Sequence, residues 1–168
     1  CVSGRGTIID GESEGRGQAS AGIVGVEGAR VVSAARNGEP GQQLAQRIGP
    51  EAAFFRLDVT DLNNWKECIG FTKDHFGKLT TLINNAGISY RKNIAETTVD
   101  DWEQTIAVNQ TGVFYGMQAA IEEMRANGEN CSITNTSSIE GLVAESAFFA
   151  YCASKGAVTL MTKAAALY

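Results

Sequence analysis

Short β-branched runs alternate with helix-period segments five times along this chain of 168 residues, and that alternation constrains the fold most. Gly6–Asp10, Ala29–Ala34, Ala52–Leu57, Leu79–Ile83 and Cys131–Thr136 read as strands. A helix between the first two carries Ile23 and Val26 at core spacing and runs to about Gly28, with Gly22 and Gly25 each weakening it by roughly 1 kcal/mol. The second helix has Pro40 in its first turn and the pair Leu44 and Ile48, and ends at Gly49. In the third, Thr60 is the cap, Trp65, Cys68, Ile69, Thr72 and Phe76 share a face, and Gly77 closes it. Thr98 and Asp101 form a capping box for a long fourth helix, with Ile106, Val113, Met117, Ile121 and Met124 inward. A fifth helix spans Ala150–Tyr168. Strand and helix in strict turn pack as a parallel sheet with right-handed crossovers. The expected fold class is therefore α/β, a Rossmann-type doubly wound parallel sheet with helices on both faces. Residues 1–168 are expected to form one domain.

Composition removes several function classes. The net charge is −5 and no Lys/Arg stripe exists, which speaks against nucleic acid as a partner. No apolar run is long enough to span a bilayer, and no signal-peptide pattern opens the chain, so a cytoplasmic protein without membrane attachment is expected. Cys1, Cys68, Cys131 and Cys152 are scattered without metal-ligand spacing, so free thiols and no metal are expected. His75, the sole histidine, lies in a charged stretch and reads as a solvated helix residue, which argues against a Ser-His-Asp hydrolase. The Asn-x-Ser/Thr triplets at Asn109, Asn130 and Asn135 are read as chance.

Two constellations carry chemistry. Gly11, Gly15 and Gly17 follow the first strand and open the first helix, where free N–H groups and the helix dipole favour a phosphate. Alone, that loop fits a phosphate cradle or a plain turn equally well. Tyr151 and Lys155 stand at i and i+4 on one helix face, with Ser138 upstream on the loop after the fifth strand. Reducing a carbonyl needs a proton donor at the oxygen that gains charge. A free phenol ionises near 10, and a neighbouring cation favours its phenolate. Alone, the pair also fits a surface Tyr-Lys contact.

Together these segments resemble the short-chain dehydrogenase/reductase family, in order and register across nearly the whole chain. The glycine loop, with Gly11, Ser13, Gly15, Arg16 and Gly17, matches the family's cofactor loop. Asp58-Val59 resembles the segment that contacts adenine. Asn84-Asn85-Ala86-Gly87 matches the one that closes the fourth strand over the cofactor, giving Asn85, Ala86 and Gly87 as cofactor contacts. Asn109 matches the helix asparagine of a proton relay; Ser138, Tyr151 and Lys155 match the catalytic serine, tyrosine and lysine, the last two also meeting the cofactor. The strings around Ser138 and Lys155 are nearest in look to the bacterial NADP-dependent, R-specific secondary alcohol dehydrogenases. The resemblance implies reversible reduction of a ketone to a secondary alcohol. Because Ala35 stands where an NAD site carries an acid and Arg36 follows it, NADP is expected over NAD.

It also implies a homo-dimer or homo-tetramer through residues 98–127 and 150–168. Phe148, Phe149, Leu142 and Tyr90 suit an apolar substrate pocket or simple core packing. The chain departs from the family pattern at Asp10, usually a small hydroxyl residue that braces the glycine loop, at the acidic Glu12 and Glu14, and at Arg16, usually apolar. Relative to the family it also lacks the last strands. A truncated or degenerate member that binds cofactor, or is structural, without turnover is the alternative reading.

Overall fold

A computed structural model describes residues 3–11, 16–128 and 130–168, with the backbone alone for Arg16 and Gln18. The elements run β1 (Gly6–Asp10), α1 (Arg16–Val26), β2 (Arg30–Ala35), α2 (Gly38–Ile48), β3 (Ala52–Arg56), α3 (Leu62–Phe76), β4 (Thr81–Asn84), α4 (Val99–Ile106), α5 (Gly112–Ala126), β5 (Ser132–Asn135) and α6 (Phe149–Ala165). The five strands are all parallel, in the order β3-β2-β1-β4-β5. The expected strands fall within two residues of these bounds.

The order reverses between β1 and β4, and helices cover both faces. Alternation along each strand decides which face a residue serves. Ile9 and Val31 pack with Ala21 of α1 and Leu44 of α2. Their neighbours Ile8 and Val32 point the other way, onto Trp65 and Cys68 of α3 and Ala120 and Met124 of α5. A smaller cluster joins Val113 and Met117 of α5 to Val158 of α6 on that same side.

Four expectations need correction. Ile23 and Val26 are 65% and 86% exposed, not core. In α1 the inward face is Ala21 and Val24, and a Cβ on Gly25 would stand 2.6 Å from Ile48 Cγ2, so the small residues let α1 approach α2 closely. The cap of α3 is Asp61, whose side chain accepts from the N–H groups of Asn63 and Asn64, while Thr60 donates to Asp58 instead. The carboxylate one residue later reaches the free N–H groups of the first turn, while the Thr60 hydroxyl is taken up by Asp58.

The helix expected from residue 98 is broken by a π turn at Ala107–Thr111, and before that turn Thr105 rather than Ile106 is buried. The capping box itself is present, with Thr98 and Asp101 bonded reciprocally. Finally, α6 ends at Ala165 rather than running through Tyr168.

Candidate active site

The carboxyl ends of β1 and β4 part at the point where the strand order reverses, which in open α/β sheets is where a ligand crevice forms. A cavity of about 550 Å³ opens there, lined by Gly11, Ala35, Arg36, Asn37, Leu57 and Val59 on one side and by Ala86, Gly87, Ile88 and Val108 on the other. Gly11 has φ of 70°, and a Cβ there would lie 2.6 Å from Ala86 Cα, so only glycine lets the two segments approach. Ser13 and Gly15, with Glu12, Glu14 and Cys1, lie outside the described residues. Arg16 begins α1 and Gly17 is buried in it.

Two side chains hold the turn that follows β4. From β1, buried Asp10 accepts from the backbone N–H groups of Asn85 and Ala86, the latter at 2.6 Å, and its own carbonyl accepts from Asn85 Nδ2 at 3.2 Å. It therefore braces this turn. From the π turn, Asn109 is fully buried; its Oδ1 accepts from Ile88 N at 2.8 Å, and its Nδ2 donates to Ile88 O at 2.8 Å and to Ser154 Oγ at 3.0 Å. The extra residue of a π turn explains how a mid-helix asparagine can face sideways into that turn. Burial also removes Asn109 as a glycan acceptor.

Lys155 reaches the same place from α6. It is 3% exposed, and its Nζ donates to Thr136 O at 2.7 Å and lies 5.7 Å from the centre of the Tyr151 ring. A Cβ on Gly87 would stand 3.6 Å from that Nζ, so the ammonium borders the cavity. Ser138 caps a short turn at Ile139–Gly141, and its hydroxyl donates to the Glu140 carboxylate, which holds that carboxyl below its usual range. Glu140 gave no sequence signal, because nothing in the spacing says where a loop carboxylate turns.

At the other end of the cavity, Asp58 is kept below its usual range chiefly by bonds from the Thr60 hydroxyl and N–H, with a smaller contribution from Arg36. Of the apolar pocket candidates, Leu142 is 74% exposed, Phe149 is partly exposed with its ring tilted against Trp102, and the Tyr90 hydroxyl donates to Gln104. Phe148 meets the Tyr151 ring edge-to-face, at 6.4 Å between centroids. Cys68, Cys131 and Cys152 are free thiols.

The family model described as short chain dehydrogenase matches residues 6–168. The chain belongs to that family. It is 39% identical to the NADP-dependent (R)-specific alcohol dehydrogenase of Lentilactobacillus kefiri, over 99% of this chain and 67% of that protein. It is 41% identical, with the same coverage, to the 2,5-dichloro-2,5-cyclohexadiene-1,4-diol dehydrogenase of Sphingobium indicum. A 3-alpha-(or 20-beta)-hydroxysteroid dehydrogenase of Mycobacterium tuberculosis is 35% identical over 98% of this chain and 63% of its own length. The chain thus spans about two thirds of the length of these relatives. Relatives that act on small molecules place this short chain dehydrogenase among the oxidoreductases that use NAD(P). No helix among the described residues is long and apolar enough to cross a membrane.

Proposed function

We propose that this chain interconverts a secondary alcohol and a ketone, with NADP preferred over NAD. The observation that carries the proposal is the buried Lys155 ammonium beside Tyr151 at the edge of a cavity on the β1/β4 switch point. The residues suit a dinucleotide: Gly11 and Gly87 leave backbone open to it, Leu57 and Val59 give an apolar wall, and Arg36 stands at the far mouth. Gly17 and Arg16 at the start of α1, with Ser13 and Gly15 before it, would hold its pyrophosphate, and Asp58, Asn85 and Ala86 would border the rest. The bound nicotinamide supplies hydride to the ketone or takes it from the alcohol.

The chain's own task is the proton. Tyr151 gives a proton to the carbonyl oxygen in reduction and takes it back in oxidation. Lys155 lowers the cost of the phenolate by its charge and, anchored on Thr136, holds that charge in place. The Ser138 hydroxyl turns from Glu140 to the substrate oxygen. Asn109 positions: with its amide taken up by Ile88 and Ser154, it fixes the turn before Lys155 and the face of α6. Titrating the protein with NADPH by nicotinamide fluorescence, then assaying ketone reduction, tests the reading. Binding with turnover supports it; binding alone would favour a cofactor-binding module without turnover; neither would overturn both.

Assembly through α4, α5 and α6 belongs to the same proposal. Phe114 on α5 and Leu160 on α6 are 43% and 68% exposed, apolar side chains that a partner helix pair would cover. Light scattering at micromolar concentration is expected to give a dimer or tetramer, and a monomer would count against the four-helix contact.

A further inference from the structure

Asp10 is the one position in the site where a charge stands in place of an expected hydroxyl. It is 2% exposed, and its Oδ1 receives two backbone N–H groups from the turn after β4. A serine or threonine hydroxyl can accept as well. What a hydroxyl cannot bring is the negative charge, and burying one is costly. Desolvation pushes Asp10 up to about 6, while the Ala86 and Asn85 N–H groups and the charge of Lys155 pull the other way. Lys155 therefore acts on Asp10 across the same turn, with Gly87 beside its Nζ. From α3, Cys68 also faces Asp10, but burial pushes that thiol far up and it stays neutral. Among the described residues, Lys155 is the cation that acts on this carboxylate, and the turn adds the Asn85 side-chain amide, which donates to the Asp10 carbonyl.

We propose that Asp10 is a positioning residue: its carboxylate clamps the Asn85–Ala86 turn, and its charge opposes the field of Lys155 at Tyr151 and at the phosphates of a bound dinucleotide. The second half rests on the reading of Lys155 and Tyr151 given above. The first half does not, so the tests separate.

Asp10→Asn keeps an acceptor oxygen and removes the charge, Asp10→Thr supplies a neutral hydroxyl, and Asp10→Ala removes both. Because the carboxyl is raised in the fold, its contribution to stability is full below its ordinary 3.8 and is lost as pH rises through about 6. The Tm of the parent is expected to fall between pH 5 and 7.5 by on the order of 5 °C more than that of Asp10→Asn. Asp10→Ala is expected to melt lower than Asp10→Asn at every pH. This arm needs neither cofactor nor turnover.

In the second arm, at pH 8, Asp10→Asn is expected to bind NADP roughly three- to tenfold more tightly, the scale of one nearby charge in a partly buried site. At pH 5, where the parent carboxyl is largely protonated, the two are expected to bind alike. The pH profile of alcohol oxidation is expected to move to lower pH, because one charge that opposes the Lys155 field is then gone.

Tm curves of Asp10→Asn and parent that run parallel, with NADP affinities within twofold at pH 8, would overturn the proposal. So would loss of folding in both Asp10→Asn and Asp10→Thr. Normal Tm and affinity shifts in a protein without turnover would uphold the charge and clamp while removing the oxidoreductase reading.

Discussion

Tyr151→Phe is expected to lower turnover by at least about 10²-fold, and up to about 10⁴-fold, while NADP affinity stays within about twofold. The substitution deletes one oxygen. The ring that remains keeps its edge contact to Phe148, at 6.4 Å between centroids, and its place 5.7 Å from Lys155 Nζ. The side chain is only partly buried, so the fold loses little. What disappears is the proton that the ketone oxygen needs as it gains charge. Hydrogen bonding from Ser138 can polarise that oxygen but cannot replace the transfer unless the serine itself ionises, which its contact with the Glu140 carboxylate opposes. The effect should therefore fall on kcat at saturating cofactor. Nicotinamide fluorescence measures the binding and a coupled absorbance assay the turnover. A variant that keeps half of the parental kcat would remove Tyr151 from the reaction.

The sheet and the line-up of motifs could be read from the chain because both rest on local patterns. Val31 and Val32 point to opposite faces and are both buried, so the run around them is apolar throughout, the mark of a parallel strand covered on two sides. Tyr151 and Lys155 share a face by helical spacing alone. The misses lie where a small residue or a backbone irregularity decides the packing. Ile23 and Val26 have the bulk expected of a core, but α1 docks through Ala21 and Gly25, where closeness to Ile48 outweighs side-chain size. The π turn at Ala107–Thr111 leaves the apolar periodicity almost unchanged, yet it is what brings Asn109 onto Ile88 and Ser154. Asp10 reads as an intruding charge in a phosphate loop. Its destination, two N–H groups more than seventy residues away, depends on β1 and β4 being neighbours and could not be seen from spacing.

NADP is expected to bind roughly 10- to 150-fold more tightly than NAD, and Arg36 is the residue on which that ratio turns. β2 ends at Ala35, which is 5% exposed and lines the cavity, so no carboxylate stands at the strand end to repel a 2′-phosphate. Arg36 follows on the exposed rim of the same cavity with Asn37 beside it. Its attraction to Asp58 is the smallest of the influences on that carboxyl, which the Thr60 hydroxyl and N–H already hold. A phosphate is thus not competing with a committed ion pair at Asp58. A hydrogen bond to a charged group contributes about 1.5–3 kcal/mol, and about 1.4 kcal/mol is tenfold in affinity, which gives the expected range. The planar guanidinium can also hold a phosphate with two parallel bonds, which a lysine cannot match. Arg36→Ala together with Ala35→Asp is expected to reverse the preference, since one change removes the grip and the other adds a repelling carboxylate at the ribose. Any effect of the acidic Glu12 and Glu14 would fall on both dinucleotides, so the ratio is the quantity to measure, at one ionic strength because phosphate contacts are screened by salt. Equal affinities of the parent for the two cofactors would show that Arg36 is a solvated rim residue and nothing more.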